Sequence, residues 1–152
     1  PNSLGRVYLD FHRRNRIPLP GEQASPMNHF YVAHDMTHVI AGIEPTGPGE
    51  VALSGFQWAM NDNEVNSAAL LASLVVHEAG FGQAGTLTTE TGQLGMTGAA
   101  ELLGQEMSRG SRCTGDFSLV DHFALAGEPL AEVRKSFGVQ APDDPADGHH
   151  NW

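Results

Sequence analysis

Residues 25–42, Ser25-Pro26-Met27-Asn28-His29-Phe30-Tyr31-Val32-Ala33-His34-Asp35-Met36-Thr37-His38-Val39-Ile40-Ala41-Gly42, read as one amphipathic helix. Ser25 is a natural N-cap. Pro26 suits the first helical position, where its missing N–H costs nothing. Gly42 is a stop, since it tolerates the left-handed conformation that ends helices. Between them Met27, Phe30, Tyr31, His34, His38 and Ala41 recur at helical spacing. At about 100° per residue, His34 and His38 fall within roughly 20° of Met27, and Asp35 lies at one edge of the stripe. Both imidazoles therefore point into the apolar side. A bound ion would offset the cost of burying them there.

The next carboxylate is placed by the connection. Residues 42–49, Gly-Ile-Glu-Pro-Thr-Gly-Pro-Gly, are rich in helix breakers, and a second helix is expected over 50–60. If the two helices pack antiparallel, Glu50 in the first turn of the second reaches the end of the first, where His38 sits. A helix N-terminus also favours its ionised form. The residues then offer two imidazoles, one aspartate and one glutamate, a set that balances a divalent charge. Nitrogen and carboxylate ligands suit zinc, iron(II), manganese or cobalt.

His34-Asp35-x-x-His38 followed by eleven residues and Glu50 resembles the signature of the coenzyme Q (ubiquinone) biosynthesis protein 4 family, H-D-x-x-H-x11-E. Flanking segments resemble that family too. They are Gly5-Arg6-Val7-Tyr8-Leu9, Arg13-Arg14-Asn15-Arg16-Ile17, the residues around Gly42 and Gly49, and residues 128–139. The resemblance implies an all-helical fold and a divalent metal, zinc, held by His34, Asp35, His38 and Glu50. It implies an apolar cavity for an isoprenoid tail, a role in ubiquinone biosynthesis, and peripheral membrane association within a multi-enzyme assembly. The activity it implies is removal of a ring carboxyl with hydroxylation at that carbon. It also implies more N-terminal sequence than this chain carries before Pro1.

Composition sets wider bounds. A chain of 152 residues suits one domain with its own core. Cys113 is alone, so no internal disulfide can form. The longest apolar run, residues 68–76, is far short of the roughly 20 residues that span a bilayer. No signal peptide is expected, and the expected location is the cytoplasm, with contact to the inner face of a membrane. Four arginines against Asp10 put +3 in residues 1–20, leaving −13 for the rest of a chain of net charge −10. An acidic body argues against nucleic acid as a partner. Leu4, Val7, Tyr8 and Phe11 share one face of an N-terminal helix whose basic end could touch anionic lipid. Core packing with a solvated basic end is the preferred reading.

The remaining pattern gives helices joined by glycine-rich turns. Asn66 is read as the cap of a nearly all-buried helix over 67–78. His77, near its end, is a weak catalytic candidate. Residues 80–98 are read as a flap or an irregular connection. Further helices are expected over about 98–109, 118–126 and 129–137, the second opened by a Ser118/Asp121 capping box. Leu102, Leu103, Met107, Phe117, Leu119, Phe123, Leu130, Val133 and Phe137 are expected in the core. The expected organisation is one all-α domain of six or seven helices over 1–140, with a disordered tail over 141–152 whose histidines could bind metal adventitiously.

The expected function is metal-dependent decarboxylation with hydroxylation of a prenylated benzoate-type ring. Partners would be that ring or an isoprenoid lipid, proteins of a biosynthetic complex, and a second copy in a homodimer. Two alternatives stand beside it: a non-catalytic isoprenoid-binding scaffold with a structural metal, and a metal-dependent hydrolase. The cavity is expected beside the metal, lined by the 26–41 and 67–78 helices.

Overall fold

The computed structural model describes residues 2–23, 25, 29–79 and 91–142. Among these residues there are seven α-helices, one 3-10 turn and no strand. In chain order they are α1 (Leu4–Asn15), α2 (Phe30–Ala41), α3 (Gly47–Met60), α4 (Glu64–Ala79), the 3-10 turn Gln93–Gly95, α5 (Ala99–Gly110), α6 (His122–Leu125) and α7 (Leu130–Phe137). The all-α class expected from the sequence is the class observed. The expectations for residues 26–28, 80–90 and the tail from 143 onward lie outside the described residues.

α1 starts where Ser3 Oγ accepts from Arg6 N–H. It buries Leu4, Tyr8, Phe11 and His12, one stripe at i, i+4, i+7 and i+8. That face packs on α2, and α2 packs on α3 and α7. The core between them holds Leu4, Phe11, Val39, Ile40, Leu53 and Phe56. α3 lies against α5 along its length, with α4 on another side. The α3–α5 approach depends on Gly110. A Cβ there would sit 2.2 Å from the carbonyl oxygen of Phe56.

Several local expectations are corrected. Among the described residues α2 opens at Phe30, after His29, and the expected first turn over 26–28 lies outside them. α3 starts three residues earlier than expected, because Thr46 caps it and Pro48 fits its first turn. Asn66 does not cap α4. Asn63 does, accepting from the Asn66 N–H, while the Asn66 amide donates to the carbonyls of Gln57 and Asn61 and closes the end of α3. α4 is not buried all round. Asn66 is its buried residue, and Val65, Leu71 and Val75 are exposed, because its main neighbour is α3 on one side. α6 is a single turn capped by Asp121 rather than Ser118. In that register His122 turns inward, and Leu119 and Phe123 face solvent.

Candidate metal centre

The end of α2 is held from two sides. The last carbonyls of a helix have no partner within it. Here the Arg134 guanidinium of α7 donates to the Ile40 carbonyl at 2.9 Å and to the Val39 carbonyl at 3.1 Å. Arg109 of α5 donates to the Ala41 carbonyl at 2.7 Å. Two cations at a helix C-terminus also complement its dipole. Burial, and then the neighbouring Arg109, push Arg134 down to about 10. These contacts fix the turn that carries His38. Gly42, left-handed at φ 77°, ends the helix behind it.

Glu50 is delivered by the start of α3. The Thr46 hydroxyl accepts from Gly49 N–H at 3.1 Å. Gly49 presses so close to the Glu44 carbonyl that a Cβ would lie 1.9 Å from its oxygen. Only glycine fits that crossing, and the next residue is Glu50. At the end of α1, Arg14 and Asn15 hold the Glu44 carboxylate at 2.7 Å and 3.2 Å, tying the α2–α3 connection to α1.

Together these elements set His34, His38 and Glu50 with their ligand atoms within 4.8 Å of one another. His34 Nε2 lies 3.1 Å from Glu50 Oε2, and His38 Nε2 lies 3.2 Å from Glu50 Oε1. The His38 Nδ1 faces the Ile43 carbonyl at 3.1 Å. A carbonyl only accepts, so Nδ1 carries a hydrogen, and Nε2 is the atom turned toward Glu50. That Nε2 is buried and has no hydrogen-bond partner. The His38 side chain is fully buried, whereas His34 and Glu50 are 35% and 25% exposed, so the cluster opens on one side.

Charge follows the geometry. Burial alone would raise Glu50, but the His38 and His34 imidazoles outweigh it and hold the carboxyl well below the ordinary range. Burial alone would lower His34, but the hydrogen bond and charge of Glu50, and then the charge of Asp35, raise it.

Asp35, the fourth expected ligand, turns its Oδ2 to His12 Nε2 of α1 at 3.1 Å, while the grouped ligand atoms are those of His34, His38 and Glu50. Adjacent residues on a helix diverge by about 100°, which separates Asp35 from the His34 direction. His77 lies near the end of α4 and is not one of the three grouped ligands. The cavity expected beside the 26–41 and 67–78 helices involves residues 26–28 and 80–90, which lie outside the described residues. A cleft of about 430 Å³ lies at the end of α1, lined in part by Leu9, His12, Arg16, Ile17 and Leu19. The sequence reading missed His12, Arg109 and Arg134. His12 was within reach, being i+4 from Tyr8 on the same stripe. The arginines act across 68 and 94 or more residues of sequence, and no local pattern marks them.

Fold and cluster thus define an all-helical protein with a candidate His2Glu metal centre at a helix–helix corner. No protein-family model matches the chain, and no curated protein matches it. Among solved structures, it is similar to a candidate ubiquinone biosynthesis protein of Nostoc punctiforme, with a TM-score of 0.60 and 18% identity over 92% of this chain. The chain spans 64% of that neighbour's length. At this identity the likeness concerns the fold.

Proposed function

We propose that this chain is a metal-dependent enzyme of ubiquinone-type biosynthesis, replacing the carboxyl of a prenylated benzoate-type ring by a hydroxyl. The observation that carries the reading is a cluster of three protein ligands with an open side. Structural ions are closed by four protein ligands, whereas catalytic ones keep a position for substrate or water. The cluster suits a divalent ion: the buried His38 Nε2 and the exposed-side His34 Nε2 converge on one carboxylate, which is held well below the ordinary range. The fold likeness to a candidate ubiquinone biosynthesis protein, and the complete H-D-x-x-H-x11-E spacing, support the pathway.

In this reading His34, His38 and Glu50 hold the ion, which is zinc by the resemblance and iron(II), manganese or cobalt by ligand type. When bound, it supplies Lewis acidity to a ring carboxylate or phenol oxygen. The chain's own residues orient the site. The Ile43 carbonyl fixes the His38 tautomer, and the Phe11 ring lies along the His38 imidazole at 5.8 Å between centroids. Glu50 spans both imidazoles and sets their angle. Asp35 contributes negative potential at His34 without joining the cluster. Releasing the carboxyl as CO2 and leaving a hydroxyl in its place is an oxidation, so this reading takes dioxygen and an electron donor as co-substrates, with water as the other product.

A test pairs ubiquinone-pathway complementation with turnover of a prenylated hydroxybenzoate by purified protein. Loss of both in His34→Ala and Glu50→Gln variants that still fold is expected. Full complementation by these variants would remove the enzyme reading and favour an isoprenoid-binding scaffold. Hydrolysis of an ester or phosphate, with no decarboxylation, would point to the hydrolase alternative, since an open position also suits a metal-bound water.

A further inference from the structure

The left-handed turn that ends α1 is made by an arginine. Among the described helix ends, three are left-handed: Arg16 after α1, at φ 56°, Gly42 after α2 and Gly138 after α7. Arg16 is the one described residue other than glycine with a positive φ. Glycine takes that conformation without steric cost, whereas a residue with a Cβ does not. A side chain kept where glycine would be more stable points to a role outside stability.

The Arg16 guanidinium is not used inside the fold. Asp10 takes Arg6 and Arg13, Glu44 takes Arg14, Glu106 takes Arg109 and Glu132 takes Lys135. Among the described residues the Arg16 side chain has no such partner, and it is exposed. It lines the cleft of about 430 Å³ at the end of α1, as does Arg13. Leu9, Ile17, Pro18 and Leu19 give that cleft an apolar wall. Leu9, Ile17 and Leu19 are packed on the core, which holds the wall in place. Glu22 is the one carboxylate lining the cleft, and it accepts the Leu19 N–H at 3.2 Å.

We propose that this cleft binds a single amphipathic organic anion, whose carboxylate or phosphate head meets Arg16 and Arg13 and whose apolar body lies against Leu9, Ile17, Pro18 and Leu19. A guanidinium donates paired N–H bonds to either head group, so both are one chemistry for the site. Arg16 carries most of the head-group contact, because Arg13 already meets Asp10 at 3.3 Å. The volume lies in the range of about 300–1,000 Å³ that small-molecule sites occupy. The occupant is a monomer in solution rather than an anionic membrane. An extended anionic surface meets the whole chain, of net charge −10, whereas a small ligand meets only the arginine rim. The site is separate from the His34–His38–Glu50 cluster and requires neither a bound ion nor the proposed reaction.

The test is calorimetric titration of the full chain with octanoate and with octyl phosphate, and with octanol and inorganic phosphate as the two halves of the ligand. A chelator is present throughout, so that no ion at the cluster can draw the head group. Each octyl anion should bind about tenfold or more tighter than octanol or inorganic phosphate. Arg16→Gly removes the guanidinium and suits the left-handed turn. It should weaken both octyl anions by about tenfold or more, leave octanol unchanged, and melt no lower than the parent. Glu22→Gln keeps an acceptor for the Leu19 N–H and removes a like charge from the wall. It should tighten both octyl anions, a gain that loss of fold cannot produce. Unchanged anion affinity in Arg16→Gly would overturn the proposal. So would octanol binding as tightly as octanoate, which would make the cleft a plain apolar groove. Binding to phosphatidylglycerol vesicles without binding of the monomeric anions would overturn it too, in favour of a membrane contact.

Discussion

Glu50 meets His34 through one carboxylate oxygen and His38 through the other, so a single residue sets the angle of both imidazoles. Glu50→Gln keeps that shape and removes one charge. The variant should fold, retain much of its metal, and lose ring turnover by about tenfold or more. Steady-state assays alongside metal analysis check this. The pair also sets a pH window in the ion-free protein. Glu50 is lowered, so its contribution is present above about pH 4.5 and is lost as pH falls through the lowered value. His34 is raised, so its contribution is full below about pH 6.5 and is lost as pH rises through the raised value. After chelation, the melting-temperature gap between parent and Glu50→Gln should be wider at about pH 5.5 than at about pH 8.5. An equal gap at both values would contradict the assignment. Gly49 is a third case. Its Cβ would collide with a backbone oxygen, which cannot rotate away. Gly49→Ala should cost about 1–3 kcal/mol in denaturant unfolding and weaken metal binding by displacing Glu50.

At the scale of elements, α2 is a short helix whose end is fastened from outside. Removing the Arg134 guanidinium strands two carbonyls in the core. Arg134→Met should destabilise by about 2–4 kcal/mol in urea unfolding, with the His38 turn loosened. What the sequence made legible follows from range. Caps and stripes are local, so the faces of α1, α5 and α7 and the stop at Gly42 were readable from spacing. So was the His34–His38–Glu50 set, because two members share a turn and the third opens the next helix. The contact of Asp35 with His12 is not legible, because the motif says nothing of a partner arriving from α1. α4 was misread because apolar composition does not reveal how many neighbours a helix has. Asn66 can cap its own helix or close the preceding one, and only the α3–α4 turn decides between them.

For the whole molecule, α1, α5 and α7 converge on the corner where α2 turns into α3, and that corner carries the cluster. No described helix is long and apolar enough to cross a membrane. We propose that this corner holds a divalent ion through His34, His38 and Glu50. The most direct measurement is metal analysis of untagged protein with and without His34→Ala/His38→Ala, with thermal melting of both. The double variant should lose one equivalent of tightly bound ion. Added metal should raise the melting temperature of the parent but not of the variant, because an ion bound to the native state alone stabilises it. Unchanged metal content in the double variant, with the same metal-induced shift in melting, would contradict it.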